Sequence, residues 1–181
     1  GEVGKFSVTI PDCKIHLSIE DLKTVKSAVE KFPTGRWLAV GPGANWHGKK
    51  WPADRFGMII IEALKSKVFD AAVILGSSKD LSDDLKVCLS DLPILDLRGR
   101  TNLNQAAAFL SKAFLFIGND SGLGHIASAV GAKTLTLFGP GLPQKYRPWG
   151  QKAGVVIAPN RNLSDLSWRM VWENLILESQ L

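Results

Sequence analysis

The sequence contains few of the residues that form metal centres, disulfides or membrane spans. Of its 181 residues only Cys13 and Cys88 are cysteines, and neither has the C-x-x-C or Cys/His spacing of a metal site. Both thiols are therefore expected to be reduced, as in the cytoplasm. The apolar stretches at 106–117 and 126–138 are broken by polar residues and fall short of the roughly 20 residues of a spanning helix. We expect neither a bound metal nor a transmembrane segment.

Several enzyme signatures are also absent. No H-E-x-x-H or G-x-S-x-G sequence occurs, so metalloprotease and esterase chemistry have no support. Residues 43–49 fit the phosphate-loop pattern G-x-x-x-x-G-K, but Lys50 stands where an NTPase needs Ser or Thr to hold magnesium. Pro52 also disfavours the helix that must follow that loop. Residues 41–46 have the first two glycines of G-x-G-x-x-G without the third, so NAD binding is not expected.

The charge balance indicates an anionic partner. The formal net charge is +5 at pH 7. The basic residues are scattered, with Lys49-Lys50 the only adjacent pair, whereas nucleic-acid modules usually have a dense basic stripe, so no nucleic-acid partner is expected. The N-terminus lacks a signal-peptide pattern, and its start at Gly1 leads us to expect a piece of a longer chain.

Short apolar runs ending near glycine alternate with segments of helical period from residue 36 onward. This alternation predicts an α/β fold with a doubly wound, mostly parallel, six-stranded Rossmann-like sheet. The predicted strands are 37–40, 72–75, 94–97, 114–117, 134–138 and 155–157. The predicted crossover helices are 53–65, 81–89, 103–111 and 122–130. Because ligands of such sheets bind at the carboxyl edge, functional residues should lie in the loops after the strands.

The chain is expected to have three parts. Residues 1–35 form a lead-in segment, 36–160 the Rossmann-like domain, and 161–181 a C-terminal helix. The lead-in should contain a strand at 6–10 and a helix that starts with a capping box at Ser18 and runs to about Phe32.

The C-terminal helix should have Ser164 or Asp165 near its cap. Trp168 and Trp172 lie four residues apart and therefore share a helix face. That face either covers the sheet or packs on a partner domain.

The segment at 114–130 has the strongest functional pattern. An apolar strand leads through Gly-Asn-Asp-Ser-Gly-Leu-Gly-His into an Ala-rich helix. Free N–H groups at a helix start bind phosphate, and Ser121 and Gly122 would let a pyrophosphate approach the backbone closely. Asp120 would accept a hydrogen bond from a sugar hydroxyl or cap the helix. His125, in the first turn of the helix, is either a structural residue or a functional one.

Two loops add alternatives of the same kind. In the loop at 41–52, Lys49 either neutralises a phosphate as a point charge or belongs to a solvated lysine pair. The loop at 139–150 either stacks a base or sugar or is rich in Pro and Gly because it turns tightly.

Five segments of the sequence, taken in their order and spacing, form a combined pattern. They are the loop at 43–52, the strand into Gly76 followed by Asp80, Gly99-x-Thr101-x-Leu103, residues 118–125, and Leu-Phe-Gly-Pro at 137–140. Together, over about 36–150, they resemble the ADP-heptose:lipopolysaccharide heptosyltransferases, glycosyltransferase family 9. The resemblance implies the C-terminal half of a two-domain GT-B enzyme, whose other half lies outside this sequence.

The resemblance also implies a site for a nucleotide sugar. Donor and phosphate contacts are implied at Ala44, Asn45, Lys49, Asp120, Ser121, Gly122 and His125. Nucleoside contacts are implied at Asp80, Arg100 and Thr101, with Asp80 holding the ribose hydroxyls. No catalytic residue is expected here, because the general base of the family lies in the other domain. Ala44-Asn45 and Asp80 depart from commoner residues of the family, so the donor class is better defined than the donor itself.

The implied reaction is transfer of heptose from ADP-heptose to the lipopolysaccharide inner core with inversion. Its partners would be the nucleotide-sugar donor and a lipid-linked oligosaccharide acceptor bound through the N-terminal domain. No cofactor or metal is expected, because Lys49 and the helix N-terminus would take up the diphosphate charge. The enzyme would be cytoplasmic, with peripheral contact to the inner membrane, and this part alone would be inactive. The alternatives are a self-standing nucleotide-binding or regulatory module and a GT-B sugar-nucleotide epimerase domain.

Overall fold

The structure, a computed structural model, describes residues 13–30, 32–86 and 92–180. Within these ranges six strands form one sheet in the order β3-β2-β1-β4-β5-β6, and all five pairings are parallel. The strands are β1 (Trp37–Gly41), β2 (Ala71–Ile74), β3 (Ile94–Asp96), β4 (Leu115–Asn119), β5 (Lys133–Phe138) and β6 (Ala153–Ile157). The predicted doubly wound Rossmann-like fold is confirmed.

In the same ranges six α-helices connect or cover these strands. They are α1 (Ile19–Ala28), α2 (Ala53–Lys65), α3 (Leu103–Leu110), α4 (Gly122–Ala129), α5 (Pro143–Tyr146) and α6 (Trp168–Gln180). Short 3₁₀ helices occur at His47–Lys49, Ser78–Ser82, Pro159–Arg161 and Leu163–Asp165. The helices predicted at 53–65, 103–111 and 122–130 agree with α2, α3 and α4 to within one residue at each end.

Two predictions of local structure need correction. The helix predicted at 81–89 is wrong over residues 83–86, which are not helical; residues 87–89 lie outside the described ranges. A 3₁₀ helix, Ser78–Ser82, takes its place because side chains bind the turn from both sides, as described below. The cap of α6 is neither Ser164 nor Asp165, because the hydroxyl of Ser167 accepts the amide of Met170 at 3.2 Å.

The lead-in helix agrees with its prediction at the N-terminus. Ser18 caps α1 by accepting a hydrogen bond from the amide of Asp21 at 3.1 Å. The helix ends at Ala28 rather than near Phe32. The strand predicted at 6–10 lies outside the described residues.

The sheet is covered on both faces by apolar helix surfaces. One layer consists of α2 and α6, whose Phe56, Ile60 and Leu175 are fully buried against the sheet. The opposite layer consists of α1, α3 and α4, with Phe109 and Ala127 in its core. Both faces of the central strands are therefore dry, as a parallel sheet requires.

The two tryptophans of α6 belong to the first of these layers. Trp168 and Trp172 are partly buried and pack against the apolar core beneath the helix. Their contacts are therefore with their own domain, and packing of the remaining exposed part on a partner domain stays an alternative.

Candidate functional site

The strand order places a cleft at the carboxyl edge of the sheet. The order reverses between β1 and β4, and ligands of open α/β sheets bind beyond the strand ends at such a point. A cleft of about 1200 Å³ lies there, between the loop after β1, the turn after β2 and the start of α4. Six of the ten predicted site residues line it: Ala44, Asn45, Asp80, Thr101, Ser121 and Gly122.

The start of α4 has an uncapped N-terminus. Ser121 is extended (φ −149°, ψ 170°), and its side chain makes no capping hydrogen bond to the helix amides. Its hydroxyl is buried yet has no hydrogen-bond partner among the residues that the structure describes. The opening amides of a helix attract anions through their N–H groups and through the helix dipole. An anion in the cleft would therefore face the opening amides of α4, with the Ser121 hydroxyl beside them.

Lys49 and Asp120 form an ion pair beside this helix start. The Nζ atom of Lys49 lies 2.6 Å from Oδ2 of Asp120, which is 7% exposed. The two groups attract each other as opposite charges, but their angles do not meet the geometry of a hydrogen bond. The ammonium also lies 5.7 Å from the ring centre of Tyr146. Neither Lys49 nor Asp120 lines the cleft, so the predicted phosphate cation is close to the helix start but is paired.

Asn119, which the sequence prediction did not assign to the site, fixes the loop after β1. It is fully buried at the end of β4. Its Oδ1 accepts the amide of Trp51 at 3.0 Å, and its Nδ2 donates to the carbonyl of Pro42 at 2.6 Å. One amide side chain therefore ties both ends of the loop to the strand that leads into α4. A buried amide at the end of an apolar strand is the sequence signal that could have identified it.

Asp80 is held in a tight turn after β2. Its Oδ2 accepts both the amide and the hydroxyl of Ser77 at 2.8 Å, so the two residues form a capping box for the 3₁₀ helix. The carboxyl group approaches the loop after β1 so closely that a Cβ on Gly43 would lie 2.4 Å from Oδ2. Among the described residues, the second oxygen, Oδ1, has one polar contact, a long one of 3.5 Å to Lys50.

Lys50, like Lys79, lines the cleft. Its Nζ lies 2.8 Å from Oδ2 of Asp83 and 3.5 Å from Oδ1 of Asp80. The hydrogen bond to Asp83 raises the pKa of the Lys50 ammonium above its ordinary value, and the charges of both carboxylates add to this effect, while desolvation opposes it. The sequence prediction assigned the phosphate-binding cation to Lys49. Because Lys49 and Lys50 are adjacent residues of the same type, the sequence contains no signal that distinguishes them.

His125 and Arg100 are not brought into the cleft. Both side chains are exposed, and neither lines the cavity. His125 lies in the first turn of α4, and Arg100 follows the turn after β3. Their predicted roles in supporting the donor and facing the base therefore have no contact in this structure that represents them.

Among the described residues, no group of three or more His, Cys, Asp or Glu side chains is arranged to hold a metal ion. The same part of the chain contains no helix with the length and apolar character needed to cross a bilayer.

A six-stranded parallel sheet with a cleft at its switch point and an open helix N-terminus defines a Rossmann-like domain. The family within this class follows from comparison with known sequences. The chain belongs to glycosyltransferase family 9 (heptosyltransferase), whose family model matches residues 7–174.

Two curated relatives illustrate the similarity. Lipooligosaccharide heptosyltransferase 2 of Haemophilus influenzae is 30% identical over 160 residues, which are 81% of this chain and 45% of that protein. Lipopolysaccharide heptosyltransferase 3 of Escherichia coli K12 is 33% identical over 120 residues, 62% of this chain and 33% of that protein. The chain thus spans half or less of the length of these relatives.

Solved structures share the fold. The structure of E. coli ADP-heptose LPS heptosyltransferase II matches with a TM-score of 0.78 at 23% identity, over 92% of this chain and 53% of that one. The E. coli heptosyltransferase WaaC with ADP matches with a TM-score of 0.70 at 21% identity, over 83% and 47%. Both likenesses concern the arrangement of strands and helices.

Proposed function

We propose that this chain is the donor-binding domain of a heptosyltransferase and that it binds a nucleoside diphosphate sugar, ADP-heptose, in the cleft at the carboxyl edge of the sheet. The observation that supports this most strongly is the unused binding capacity at the start of α4. The buried Ser121 hydroxyl has no partner and the helix is uncapped, although buried polar groups are normally satisfied. A diphosphate in the cleft would supply the acceptors that these donors lack.

Electrostatic contacts extend from this point to either side. Lys49 has three donors, so it can keep Asp120 at 2.6 Å while another N–H turns to a phosphate oxygen. Lys50 presents a second cation on the cleft wall. The two ammonium groups and the helix dipole would neutralise the diphosphate without a metal. Asp120 would help to orient Lys49 and accept a sugar hydroxyl.

The nucleoside would lie toward the turn after β2. Asp80 keeps Oδ1 directed away from its capping partner, and a carboxylate oxygen in this position can accept the ribose hydroxyls. Thr101 lines the same end of the cleft, where the base would bind. The phosphate and ribose subsites then follow the cleft from α4 to Asp80.

The chain would act within a larger GT-B enzyme. In this proposal residues 1–35 lead into the domain, 36–160 form the donor domain and 161–181 close it. A separate N-terminal domain would bind a lipid-linked core oligosaccharide and provide the general base for transfer with inversion. The donor domain alone, without that base, would bind the donor but would not catalyse transfer. The E. coli heptosyltransferase WaaC, solved with ADP, supports a nucleotide donor in this fold.

Calorimetry of this chain with ADP, UDP, GDP and ADP-heptose tests the proposal. ADP and ADP-heptose should bind, and Lys49→Ala and Ser121→Ala should each weaken binding by about tenfold, the effect of losing one hydrogen bond to a charged group. Lys112→Ala is the matched control, because Lys112 is an exposed lysine just beyond α3. If no nucleotide binds, or if all three variants bind as the wild type does, the proposed donor site is wrong.

We also propose that the domain contacts the cytoplasmic face of the inner membrane. The chain's 22 basic residues exceed its 17 acidic ones by five, and residues 121–164 contain five basic residues and no acidic one. Leu142, Tyr146 and Trp149 are 46–52% exposed in that segment. Exposed aromatic and basic side chains together favour the headgroup region of an anionic bilayer.

Sedimentation with vesicles tests this contact. The chain should bind phosphatidylglycerol vesicles and not phosphatidylcholine ones, and Lys145→Glu with Arg147→Glu should weaken binding, since each basic residue near the surface contributes about 1 kcal/mol. Lys65→Glu with Lys112→Glu, also exposed, makes the same change of charge elsewhere. Equal weakening by both pairs would reduce the effect to net charge and contradict a specific surface.

A further inference from the structure

Arg98 connects two strand ends, and the donor-binding scheme leaves it without a role. Its Nε and Nη2 atoms hold the carboxylate of Asp96 at 3.1 and 2.7 Å in a bidentate pair. Its Nη1 atom donates to the carbonyls of Asp80 at 2.8 Å and Asp83 at 2.9 Å. The residue is 8% exposed, so it is a buried charge with every side of its guanidinium engaged.

These contacts all converge on the turn that contains the ribose partner. Nη1 holds the main chain at Asp80 itself and three residues further on. Ser77 holds Oδ2 of the same aspartate. The glycine after Arg98 completes the contact, since a Cβ on Gly99 would lie 2.9 Å from Cα of Ser78. With backbone and one carboxylate oxygen fixed, the direction of the remaining oxygen, Oδ1, is fixed as well.

We propose that Arg98 is a positioning residue for nucleoside recognition. By donating hydrogen bonds to the main chain of the turn, it orients Oδ1 of Asp80 toward the ribose hydroxyls. This inference rests on the proposed function of Asp80. A planar guanidinium can satisfy Asp96 along one edge and two carbonyls with its remaining nitrogen, which a lysine cannot do. Stability alone would not require the pair, because apolar side chains commonly replace buried ion pairs without loss.

The test compares two nucleotides that differ only in the ribose hydroxyls. Calorimetry gives the ratio of the Kd of 2′,3′-dideoxy-ADP to that of ADP, which we expect to be about tenfold or more in the wild type, since hydrogen bonds to a carboxylate are strong ones. Asp80→Ala sets the value expected when hydroxyl recognition is lost. Arg98→Lys keeps a cation beside Asp96 but removes the planar guanidinium that also binds the two carbonyls.

A second variant keeps the test valid if Arg98→Lys does not fold. Asp96→Leu with Arg98→Leu removes both charges together, so no unpaired charge remains in the interior. In both Arg98 variants the ratio should fall to the Asp80→Ala value, while the Kd of dideoxy-ADP stays at its wild-type value. Thermal unfolding measured in parallel reports any loss of stability, which is separate from the ratio.

Three results would overturn the inference. If Asp80→Ala lowers the ratio and the Arg98 variants retain it, whatever their thermal midpoints, Arg98 is only structural and the proposed ribose role of Asp80 stands. If the affinities of ADP and dideoxy-ADP fall equally, Arg98 supports the cleft as a whole and not the hydroxyl contact. If the wild type binds ADP without discriminating between the two nucleotides, the ribose role of Asp80 fails and the positioning role fails with it.

Discussion

The two polar turns at the carboxyl edge differ in how their hydrogen bonds are used. After β2, the turn at Ser77 is saturated from within: one serine holds Asp80, and Arg98 holds the main chain. After β4, the turn at Ser121 is left open, with an uncapped helix and an unpartnered hydroxyl. The saturated turn presents one oriented carboxylate oxygen, and the open turn presents unused donors. Under the proposed function, the first turn orients the ligand and the second binds its charge.

The largest expected effect concerns Asn119, which ties the loop after β1 to the end of β4, just before the open turn. Asn119→Leu keeps the shape of the side chain but leaves the amide of Trp51 and the carbonyl of Pro42 buried without partners. Each unsatisfied group costs about 1–3 kcal/mol, so the free energy of unfolding should fall by about 2–6 kcal/mol. Urea denaturation measures it, with Asn104→Ala on the exposed face of α3 as the control. A loss no larger than that of the control would show that the loop after β1 does not depend on this clamp.

Substitutions of Gly43 and Gly122 distinguish loss of stability by crowding from loss of ligand binding. A Cβ on Gly43 would press on the fixed carboxylate of Asp80 at 2.4 Å, so Gly43→Ala should cost about 1–3 kcal/mol of stability through overpacking. A Cβ on Gly122 would meet nothing within 4 Å, so Gly122→Ala should keep wild-type stability. It should nevertheless weaken ADP binding, because the new methyl group stands at the proposed phosphate position. Tight ADP binding by Gly122→Ala would place the phosphates elsewhere.

The two serines should respond in opposite ways to removal of their hydroxyls. Ser77→Ala removes a 2.8 Å hydrogen bond to Asp80 and should destabilise the protein by about 1 kcal/mol. Ser121→Ala removes a buried hydroxyl that has no partner, so stability should be unchanged or slightly higher. Thermal unfolding without and with ADP checks both, and the stabilisation by ADP should be smaller in Ser121→Ala. Equal destabilisation by the two substitutions would remove the distinction between the turns.

The smallest expected effect is the pH dependence contributed by Lys50. Because its pKa is raised in the folded protein, its stabilising contribution is complete below the ordinary lysine pKa of about 10.4 and is lost as the pH rises through the folded value. Lys50→Met should therefore be less stable than the wild type at pH 8, by at most about 1 kcal/mol for a partly exposed pair. The difference should shrink steadily in strongly alkaline buffer. A difference that stays constant across that range would come from packing rather than from charge.

Periodicity predicted the sheet and most of its helices. Helix α2 was predicted with its observed bounds because Phe56, Ile60 and Leu64 recur on one face and become buried. The helix predicted at 81–89 failed because apolar spacing cannot register a competing side-chain cap. There the box between Ser77 and Asp80 and the grip of Arg98 stop the chain after one short 3₁₀ helix.

For the candidate site, the sequence indicated the edge and the loops but not the partners. Ala44, Asn45, Asp80, Thr101, Ser121 and Gly122 line one cleft as strand-end residues should. Lys49 was predicted in the right loop, but its ammonium is paired with Asp120, and the neighbouring Lys50 lines the cleft. Distances between loops that are 30 to 80 residues apart depend on the sheet order, which local pattern does not contain.

The sequence by itself determined most of the segments that become strands and helices, because the spacing of apolar side chains is a local property of the chain. It also determined the chemical groups available at the strand ends. Tertiary structure alone decided which of those groups are satisfied: Asn119 reaches a loop 68 residues earlier, Arg98 reaches a turn 18 residues earlier, and Ser121 reaches no partner. The physical reason is that a hydrogen bond requires atoms to lie within about 3 Å in a fixed direction, and only the packed sheet brings distant loops to that separation.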